Sequence, residues 1–380
     1  MDRNAPLAIV TAVVVSVVGV FGLMTQPMVV GVYADMLGFE YQQGGNVIIA
    51  EIAGGALASI LAMFWINRVN WRVAVFFALV CVAAGNVLAT LQTDAQIVTA
   101  IRFAVGFLGQ GTAFAIGISM IGNTSDPDRN FGFVIAAQVG FGVLAMATLR
   151  PLVDSFGSIG GMYLPLAGVA VIGLAFVRYV PSGPAQKDHQ LAEGDGSLAL
   201  PVAGLVAMLI WCCGLGAIWT FVERIAVAGG LESAQALGSL AISSAVAIVG
   251  ALLAATLAAK GVGRFLPVTI ALLAQIAVAW FIQGEITFWE LVIKASIFQV
   301  FWNLTGPFLM GAIAASDTRG KVAVLIPAAQ TSGFFVGPAI AAGFMDSAGL
   351  SAANLTAIVC CAIALAIFIP LAAKLKAANI

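Results

Sequence analysis

The stretch from Ile101 to Gln138 reads IRFAVGFLGQGTAFAIGISMIGNTSDPDRNFGFVIAAQ, and its landmarks return in the second half of the chain. The offset of 294 − 102 = 192 residues relates these pairs: Arg68 with Lys260, Arg72 with Arg264, Arg102 with Lys294, Arg129 with Lys321, and Ala136-Ala137-Gln138 with Ala328-Ala329-Gln330. One offset that matches basic with basic at four places is not expected by chance. We therefore interpret the chain as two homologous halves of about 190 residues, each with a cation at the same point of an apolar segment.

The composition is that of a membrane protein. Of the 380 residues, 62% are hydrophobic and 9% are charged, and the mean hydropathy is +1.08. A soluble core of this size does not need so much apolar surface. The apolar run 7–33 is too long for the core of a signal peptide and is predicted to be the first membrane helix. The one histidine, His189, lies in a polar segment and the five cysteines in apolar runs, so we expect no metal site and no cofactor.

Twelve membrane spans are predicted, because each span needs about 20 apolar residues. They cover 7–33, 43–66, 73–91, 96–122, 130–150, 160–180, 199–224, 236–259, 265–283, 286–312, 321–345 and 352–373. One long polar segment, 181–198, separates the sixth span from the seventh. The expected fold class is an all-α membrane protein with two pseudo-symmetric six-helix bundles, 1–180 and 199–380, joined by that linker.

Lysine and arginine near the span ends predict the orientation, because these residues collect on the cytoplasmic side. With a cytoplasmic N-terminus, that side holds Arg3, Arg68, Arg72, Arg129, Arg178, Lys187, Lys260, Arg264, Arg319, Lys321, Lys374 and Lys376. The opposite side holds only Arg150 and Arg224. We therefore expect cytoplasmic termini, a cytoplasmic linker and parallel repeats about an axis along the membrane normal. The expected setting is the lipid bilayer of a bacterial inner membrane, with the protein as a monomer.

This plan of twelve spans in two parallel halves resembles the major facilitator superfamily over the whole chain. The family signature between spans 2 and 3 is G-x-x-x-D-R-x-G-R-R, and the corresponding segment is MFWINRVNWR, from Met63 to Arg72. Arg68 and Arg72 match the signature, whereas Asn67 stands where the family has aspartate. In that family the aspartate closes a charge relay that helps to hold the cytoplasmic gate shut. The resemblance therefore implies gating roles for Arg68, Arg72 and Asn67.

A second resemblance lies in span 4, where Arg102 is followed by glycines at 106, 109 and 111. This pattern is similar to the Arg-Gly motif that many proton-coupled members share. The Gly-Pro signature of the antiporters is absent from span 5, which has Gly140 and Gly142 without the proline. Within the superfamily, the drug:proton antiporter and sugar-efflux branches are the expected relatives.

Charged residues inside the predicted spans point to function, because each costs roughly 2.5–3.5 kcal/mol at mid-bilayer. Glu51, Arg102 and Lys294 are expected at similar depths, roughly 9–12 Å below the outer surface at 1.5 Å per residue. Glu223, at the end of span 7, is expected in the same layer or at its rim. We predict that Arg102 and Lys294 contact substrate and that Glu51 and Glu223 couple transport to protons, since carboxylates in apolar surroundings can exchange protons near neutral pH.

Helical spacing adds uncharged candidates for the substrate site. Phe298 and Trp302 share the face of Lys294, and Trp219 lies one turn from Glu223. Gln26 precedes a proline in span 1, where a helix break is expected. The remaining candidates are Gln138 and its repeat partner Gln330.

Each of these residues also has a purely structural interpretation. Glu51 and Arg102 would then form an ion pair that only neutralises two charges, and Glu290 would neutralise Lys294 from one turn away. Glu223 would lie among lipid headgroups beside Arg224. Gln138 and Gln330 would form interhelical hydrogen bonds.

The sequence favours a secondary transporter of the rocker-switch type. No G-x-x-x-x-G-K-[ST] phosphate loop occurs, so ATP-driven transport is not expected. No catalytic constellation points to an enzyme, and nothing indicates nucleic acid as a partner. The leading hypothesis is proton-coupled transport of a small organic anion with an apolar or ring portion. A drug:proton antiporter for amphipathic compounds and a non-coupled receptor or lipid-handling protein stay open as alternatives.

Overall fold

The computed structural model describes residues 3–39, 41–183, 198–318 and 320–377, and within these ranges the chain forms helices and turns without strands. The helices of the first half are α1 Pro6–Gly19, α2 Phe21–Leu37, α3 Tyr41–Trp65, α4 Trp71–Ala89, α5 Ala95–Gly122, α6 Pro127–Phe156 and α7 Gly160–Leu174. Those of the second half are α8 Ala199–Ala228, α9 Ser233–Ala259, α10 Phe265–Phe281, α11 Phe288–Ser316, α12 Ile326–Gly343, α13 Met345–Ala348 and α14 Ser351–Ala377.

These helices coincide with the twelve predicted spans. In the described part of the chain, nine helices are long and apolar enough to cross a membrane, and three shorter apolar helices are α1, α7 and α10. The first span is divided at Val20 into α1 and α2. The predicted all-α fold class is confirmed. Most of the predicted linker, 184–197 with His189, lies outside the described residues.

The helix bounds follow the offset that the basic residues define. Adding 192 to the ends of α4 gives 263–281, and α10 is Phe265–Phe281. The same addition carries α5 to 287–314, and α11 is Phe288–Ser316. The bounds of these two helix pairs therefore agree with the predicted offset to within two residues.

Polar residues at the span boundaries fix where these helices begin. Asp94 accepts hydrogen bonds from the backbone N–H groups of Gln96 and Ile97 at 2.8 and 3.0 Å, which caps α5. Asn70 caps α4 through the N–H of Arg72 at 3.0 Å. Such caps satisfy N–H groups that have no partner within the helix. They set the register of α4 and α5, and therefore the depth of the side chains that these helices present.

The described residues divide into two compact units. The first contains residues of Met1–Ser125 and Gly140–Gln186, and the second contains those of Asp126–Val139 and Lys187–Ile380. In the first unit α3 packs along α5, and α1 packs on the last part of α5. In the second, α9 packs along α11, and α8 packs against α12 and α14. The first turns of α6 belong to the second unit and the rest of that helix to the first.

Candidate functional site

The first unit buries an ion pair between Glu51 on α3 and Arg102 on α5. Arg102 Nε donates to Glu51 Oε2 at 3.0 Å, and Arg102 Nη2 pairs with Glu51 Oε1. The two residues are only 4% and 1% exposed. Two parallel N–H···O contacts of this kind fix the geometry of both side chains. The two charges that the sequence places at similar depths are thus in direct contact.

Two amides complete the hydrogen bonding of this pair. Asn86 Oδ1 accepts from Arg102 Nη1 at 2.8 Å, and Asn86 Nδ2 donates to the Val82 carbonyl at 2.9 Å, which fixes the orientation of the amide. Gln110 Nε2 donates to Glu51 Oε1 at 2.7 Å. Asn86 and Gln110 were not among the sequence candidates, although both are polar residues inside apolar spans and carried that signal.

Two tyrosines close the other side of the cluster. The guanidinium of Arg102 lies 4.5 Å from the centroid of the Tyr163 ring, within the range of a cation–π interaction. The hydroxyl groups of Tyr163 and Tyr33 form a hydrogen bond, and both side chains are buried. The sequence analysis did not single out either tyrosine.

The glycines after Arg102 allow α3 and α5 to approach closely. A Cβ atom at Gly106 would collide with the carbonyl oxygen of Glu51, and one at Gly111 would lie 2.5 Å from the carbonyl oxygen of Gly55. Residues Val105–Gln110 form a π-helical turn within α5. Such turns shift the side chains that follow them and are frequent at functional sites. Here the turn ends at Gln110, whose amide contacts Glu51.

This cluster is electrically neutral and internally hydrogen-bonded. Removing one partner of a buried ion pair costs about 3–5 kcal/mol, because the remaining charge is left without compensation. A competing anion could take the place of Glu51 at Arg102 only if the charge of Glu51 were neutralised in the same step.

The second unit holds Lys294 in a different environment. Its side chain is half-buried on α11, and it has no hydrogen-bond or ion-pair partner in the part of the chain that the structure describes. Glu290, one turn away, is exposed and directs Oε2 to the backbone N–H and the hydroxyl of Thr287, each at 2.8 Å. Glu290 thus completes the capping box of α11 with Thr287. It interacts with Lys294 through charge and makes no salt bridge with it, so the interpretation in which Glu290 neutralises Lys294 stays a prediction.

Aromatic rings form a cluster on the helices around α11 in the second unit. The ring centroids of Trp219 and Trp302 are 5.9 Å apart in an edge-to-face arrangement. Phe334 on α12 lies 5.4 Å from Trp302, with an angle of 31° between the ring planes. The sequence analysis did not propose Phe334, although this residue lies one helical turn from the repeat landmark Gln330. All three side chains are half-buried, so each retains surface that a ligand could cover.

Phe298 is placed differently from the other aromatic candidates. Its side chain is 3% exposed, and its carbonyl accepts a hydrogen bond from Gln275 at 3.4 Å. Gln275 in turn accepts from the indole of Trp211 at 2.9 Å. Phe298 thus packs inside the unit. In this conformation its side chain has almost no exposed surface that a substrate could contact.

The two glutamines of the AAQ triplets are half-buried. Gln330 Oε1 is buried and has no hydrogen-bond partner in the described ranges. It lies one helical turn from Phe334, on the same face of α12. Their predicted roles in substrate binding stay predictions.

Gln26 and Glu223 lie on the described backbones of α2 and α8, but their side chains lie outside the described residues. Their predicted roles also stay predictions. Among the described residues, no group of three or more His, Cys, Asp or Glu side chains could hold a metal ion.

The predicted gating residues lie at the junction of α3 and α4. Asn67 and Arg68 are exposed. The guanidinium of Arg72 donates twice to the carbonyl of Val180, from Nε at 3.2 Å and from Nη2 at 3.1 Å. Arg72 therefore ties the start of α4 to the segment that leads into the linker, within the first unit.

Comparison with known proteins identifies the fold. No family model and no curated protein matches the chain. Solved structures match over nearly its whole length. The transporter FucP of the major facilitator superfamily, in the outward conformation, aligns with a TM-score of 0.74 and 13% identity over 96% of this chain and 98% of its own. A second structure of the same protein is described as the E. coli fucose:proton symporter.

Two further structures agree. The human organic anion transporter MFSD10 (TETRAN) aligns with a TM-score of 0.71 and 14% identity over 95% of this chain and 98% of its own. The proton:xylose symporter XylE aligns with a TM-score of 0.69 and 14% identity over 93% of this chain and 94% of its own. This protein therefore has the major facilitator fold, as the sequence resemblance predicts.

Proposed function

We propose that this protein is a secondary transporter that carries a small organic anion by proton-coupled alternating access. The observation that carries the proposal is the buried contact of Glu51 with Arg102. In such a pair, the carboxylate of Glu51 and the guanidinium of Arg102 neutralise each other. A solute anion could bind Arg102 in place of Glu51 while a proton binds Glu51. We place the protein in a bacterial inner membrane, as a monomer with cytoplasmic termini.

The proposed coupling follows from charge balance. When a carboxylate of the solute displaces Glu51 from Arg102, Glu51 would remain as an unpaired anion in a buried position, which costs several kcal/mol. A proton from water on the same side neutralises it, so one anion and one proton enter the site together. When both leave on the other side, Glu51 and Arg102 pair again. Each cycle then moves one proton together with one negatively charged carboxylate of the solute, so no net charge crosses the membrane.

The second unit supports the anionic character of the solute. Lys294 is a cation inside an apolar helix and makes no hydrogen bond or salt bridge in the described ranges; Glu290, one turn away, interacts with it only through charge. Trp219, Trp302 and Phe334 offer half-buried ring surface in the same unit. A solute with a carboxylate that pairs with Lys294 and a ring that packs on the aromatic side chains would be an organic anion with an apolar portion.

The solved structures support the same class of activity. They include proteins described as an organic anion transporter and as proton symporters of sugars. In the drug:proton antiporter alternative Glu290 neutralises Lys294; here the Glu290 carboxylate accepts hydrogen bonds from Thr287 and acts on Lys294 only through charge, without a salt bridge. The anion is therefore the better-supported solute.

The test uses purified protein in liposomes with a pH-sensitive dye inside. Carboxylates with and without a ring are first screened by thermal stabilisation, since a bound solute raises stability by mass action. A stabilising anion should then enter together with protons and accumulate about tenfold per unit of imposed pH gradient, because a pH unit and a tenfold concentration ratio each correspond to about 1.4 kcal/mol.

Glu51→Gln is the diagnostic variant. It keeps the size and shape of the side chain and one of its two acceptor oxygens, and it removes the titrating group. The variant should lose this accumulation while still exchanging solute down a concentration gradient. Wild-type accumulation by Glu51→Gln would exclude Glu51 as the coupling group, and anion entry without proton flux in the wild type would exclude coupled transport.

A further inference from the structure

Two buried hydroxyl groups in the first unit have one hydrogen-bond donor more than their mutual contact uses. Each phenolic group has one O–H donor and an oxygen that can also accept. The hydroxyls of Tyr33 and Tyr163 bond to each other, and within the described ranges neither has a second hydrogen-bond partner. One O–H therefore donates to the neighbouring oxygen, and the other O–H has no acceptor in that part of the chain.

The O–H that is left over lies deep inside the unit. Tyr33 is 0% and Tyr163 is 2% exposed, so neither side chain reaches solvent in this conformation. A buried donor without an acceptor lowers the stability of a protein, and folded proteins contain few of them. A ligand that brings its own acceptor would satisfy this group.

The guanidinium of Arg102 supplies further donors beside the tyrosines. Its Cζ atom lies 4.5 Å from the centroid of the Tyr163 ring. A guanidinium has five N–H groups, and three hydrogen bonds to Glu51 and Asn86 leave two of them without a partner among the described residues. Neighbouring donors from a phenol and a cation fit a ligand group that only accepts hydrogen bonds and carries negative charge. A carboxylate is such a group.

Packing fixes the positions of both tyrosine rings. The ring of Tyr33 stacks on that of Phe39, with centroids 5.3 Å apart and an angle of 18° between the ring planes. The ring of Tyr163 contacts Arg102, which is itself held by Glu51 and Asn86. The O–H without an acceptor can still rotate about its C–O bond. It can therefore turn toward a ligand while the rings stay in place.

The sequence repeat confines this arrangement to the first half. Since 225 − 33 and 355 − 163 both equal 192, the positions of Tyr33 and Tyr163 correspond to Ile225 and Leu355. Neither of these side chains has a hydrogen-bond donor. Lys294, the predicted repeat partner of Arg102, therefore has no phenolic hydroxyl at the equivalent positions.

We propose that Tyr163 is a specificity-determining residue that binds the carboxylate of the solute together with Arg102, and that Tyr33 supports it. This inference rests on the proposed function, in which a solute carboxylate takes the place of Glu51 at Arg102. One carboxylate oxygen then accepts from the guanidinium, and the other accepts from the Tyr163 hydroxyl. Tyr163 makes the direct contact because its ring lies against Arg102. Tyr33 donates to the Tyr163 oxygen, which polarises the Tyr163 O–H and strengthens its bond to the anion.

This pair of anchors favours a carboxylate over a neutral group of the same shape. In a primary amide, an NH₂ group replaces one of the two carboxylate oxygens. That NH₂ would face the Tyr163 hydroxyl or the guanidinium, and two donors would then meet in a buried place, which is unfavourable. Benzamide should therefore bind the wild type at least about tenfold more weakly than benzoate, and Tyr163→Phe should narrow this difference.

The first experiment compares the tyrosine variants in binding. Benzoate and hexanoate are titrated calorimetrically into the full-length protein in detergent. Tyr163→Phe keeps the ring and removes the hydroxyl, so it should weaken both probes about ten- to a hundredfold through the loss of a hydrogen bond to a charged group. The factor should be the same for both, since they present the same carboxylate. Tyr33→Phe should weaken them by no more than about fivefold, because only the support for the Tyr163 O–H is lost.

Tyr179→Phe is the matched control. Tyr179 also has an arginine over its ring, with Arg178 Cζ 4.7 Å from the centroid, but it lies in the turn after α7. This variant should bind both probes within about twofold of the wild type. Wild-type affinity in Tyr163→Phe would overturn the proposal, and so would a wild type that binds neither probe.

The second experiment tests the unsatisfied donor without any ligand. Tyr33→Phe combined with Tyr163→Phe removes both hydroxyls, and with them one hydrogen bond and one donor without an acceptor. The double variant should melt at the wild-type temperature or above, because replacing both partners by apolar groups of the same shape is nearly neutral or stabilising. A clearly lower melting temperature would show that the O–H already has an acceptor, such as an ordered water, and would overturn the proposal.

The outcomes separate this inference from the proposed function. If the wild type binds benzoate through Tyr163 but moves no protons, the proposed coupling fails and the carboxylate site stands. If the wild type accumulates an anion with protons while Tyr163→Phe binds that anion as well as the wild type does, the proposed function stands and the role of Tyr163 fails.

Discussion

Arg102 and Lys294 are partners in the 192-residue repeat that the sequence predicts, and the structure gives them opposite surroundings. Arg102 is 1% exposed and contacts Glu51, Asn86 and the ring of Tyr163. Lys294 is half-buried and has no ion-pair or hydrogen-bond partner in the described ranges. Both positions of the predicted repeat thus carry a basic residue, but the residues around the two positions differ.

The sequence explains this difference once the neighbours of Arg102 are known. Adding 192 to the positions of the cluster around Arg102 replaces each polar member by a smaller or apolar residue: Glu51 by Ser243, Asn86 by Val278, Gln110 by Trp302 and Tyr163 by Leu355. The position that supplies an amide to Glu51 in the first half therefore supplies the central ring of the aromatic cluster in the second. In the first half Arg102 is paired with Glu51, whereas in the second half Lys294 has no salt bridge and could pair with a ligand.

The largest expected effect separates the two cations by their contribution to folding. Arg102→Met should lower the free energy of unfolding by about 3–5 kcal/mol, because Glu51 would stay buried without its partner. Lys294→Met should change it by no more than about 0.5 kcal/mol, because Lys294 has no partner to lose. Denaturant unfolding of both variants in the same mixed micelles measures the difference.

A double variant shows whether the lost stability comes from the ion pair. Glu51→Gln combined with Arg102→Met removes both charges and should recover most of the loss, since the uncompensated carboxylate is gone. Equal destabilisation by Arg102→Met and Lys294→Met would mean that the two cations have similar surroundings after all.

The amino-acid sequence alone was sufficient to predict the membrane fold and to select Arg102 and Lys294 as candidate site residues. Hydropathy fixes the spans, and the repeat marks residues 102 and 294 because a basic residue is conspicuous in an apolar helix. Glu51 was marked for the same reason. The resemblance of the segment around Arg68 and Arg72 to a family signature then named the fold, which the solved structures confirm.

The side chains that contact these residues could not be predicted from the sequence. The residue pattern of one helix does not show which face of a neighbouring helix packs against it. Tyr163 is 61 residues from Arg102 along the chain, and an ordinary helical tyrosine gives no sign of a cation above its ring. The π-helical turn before Gly111 also changes which side chains face Glu51. Glu290 was expected beside Lys294 by its spacing, but capping of α11 by Thr287 redirects its carboxylate.

A smaller effect is expected on ligand affinity in the second half. Lys294→Met should weaken the binding of the transported anion about ten- to a hundredfold, because a hydrogen bond to a charged group contributes about 1.5–3 kcal/mol. Titration calorimetry of the detergent-solubilised protein with the stabilising anion measures this. Lys260→Met removes a charge from an exposed helix end and should leave the affinity within about twofold of the wild type.

Wild-type affinity in Lys294→Met would remove the cation of the second half from the site. A gain of affinity for amphipathic cations in that variant would instead favour the drug:proton antiporter alternative.

The smallest effect concerns the ring of the solute. Phe334→Leu should weaken the binding of a ring-bearing anion such as benzoate by about 0.5–1.5 kcal/mol, or about two- to tenfold, because an aromatic pair contributes this much beyond the area that it buries. An aliphatic anion of the same charge, such as hexanoate, should be affected less. Phe335→Leu is the matched control, since Phe335 is 58% exposed and has no ring contact in the described ranges. If Phe334→Leu weakens both anions equally, Phe334 supports the packing of Trp302 and does not contact the ring of the solute.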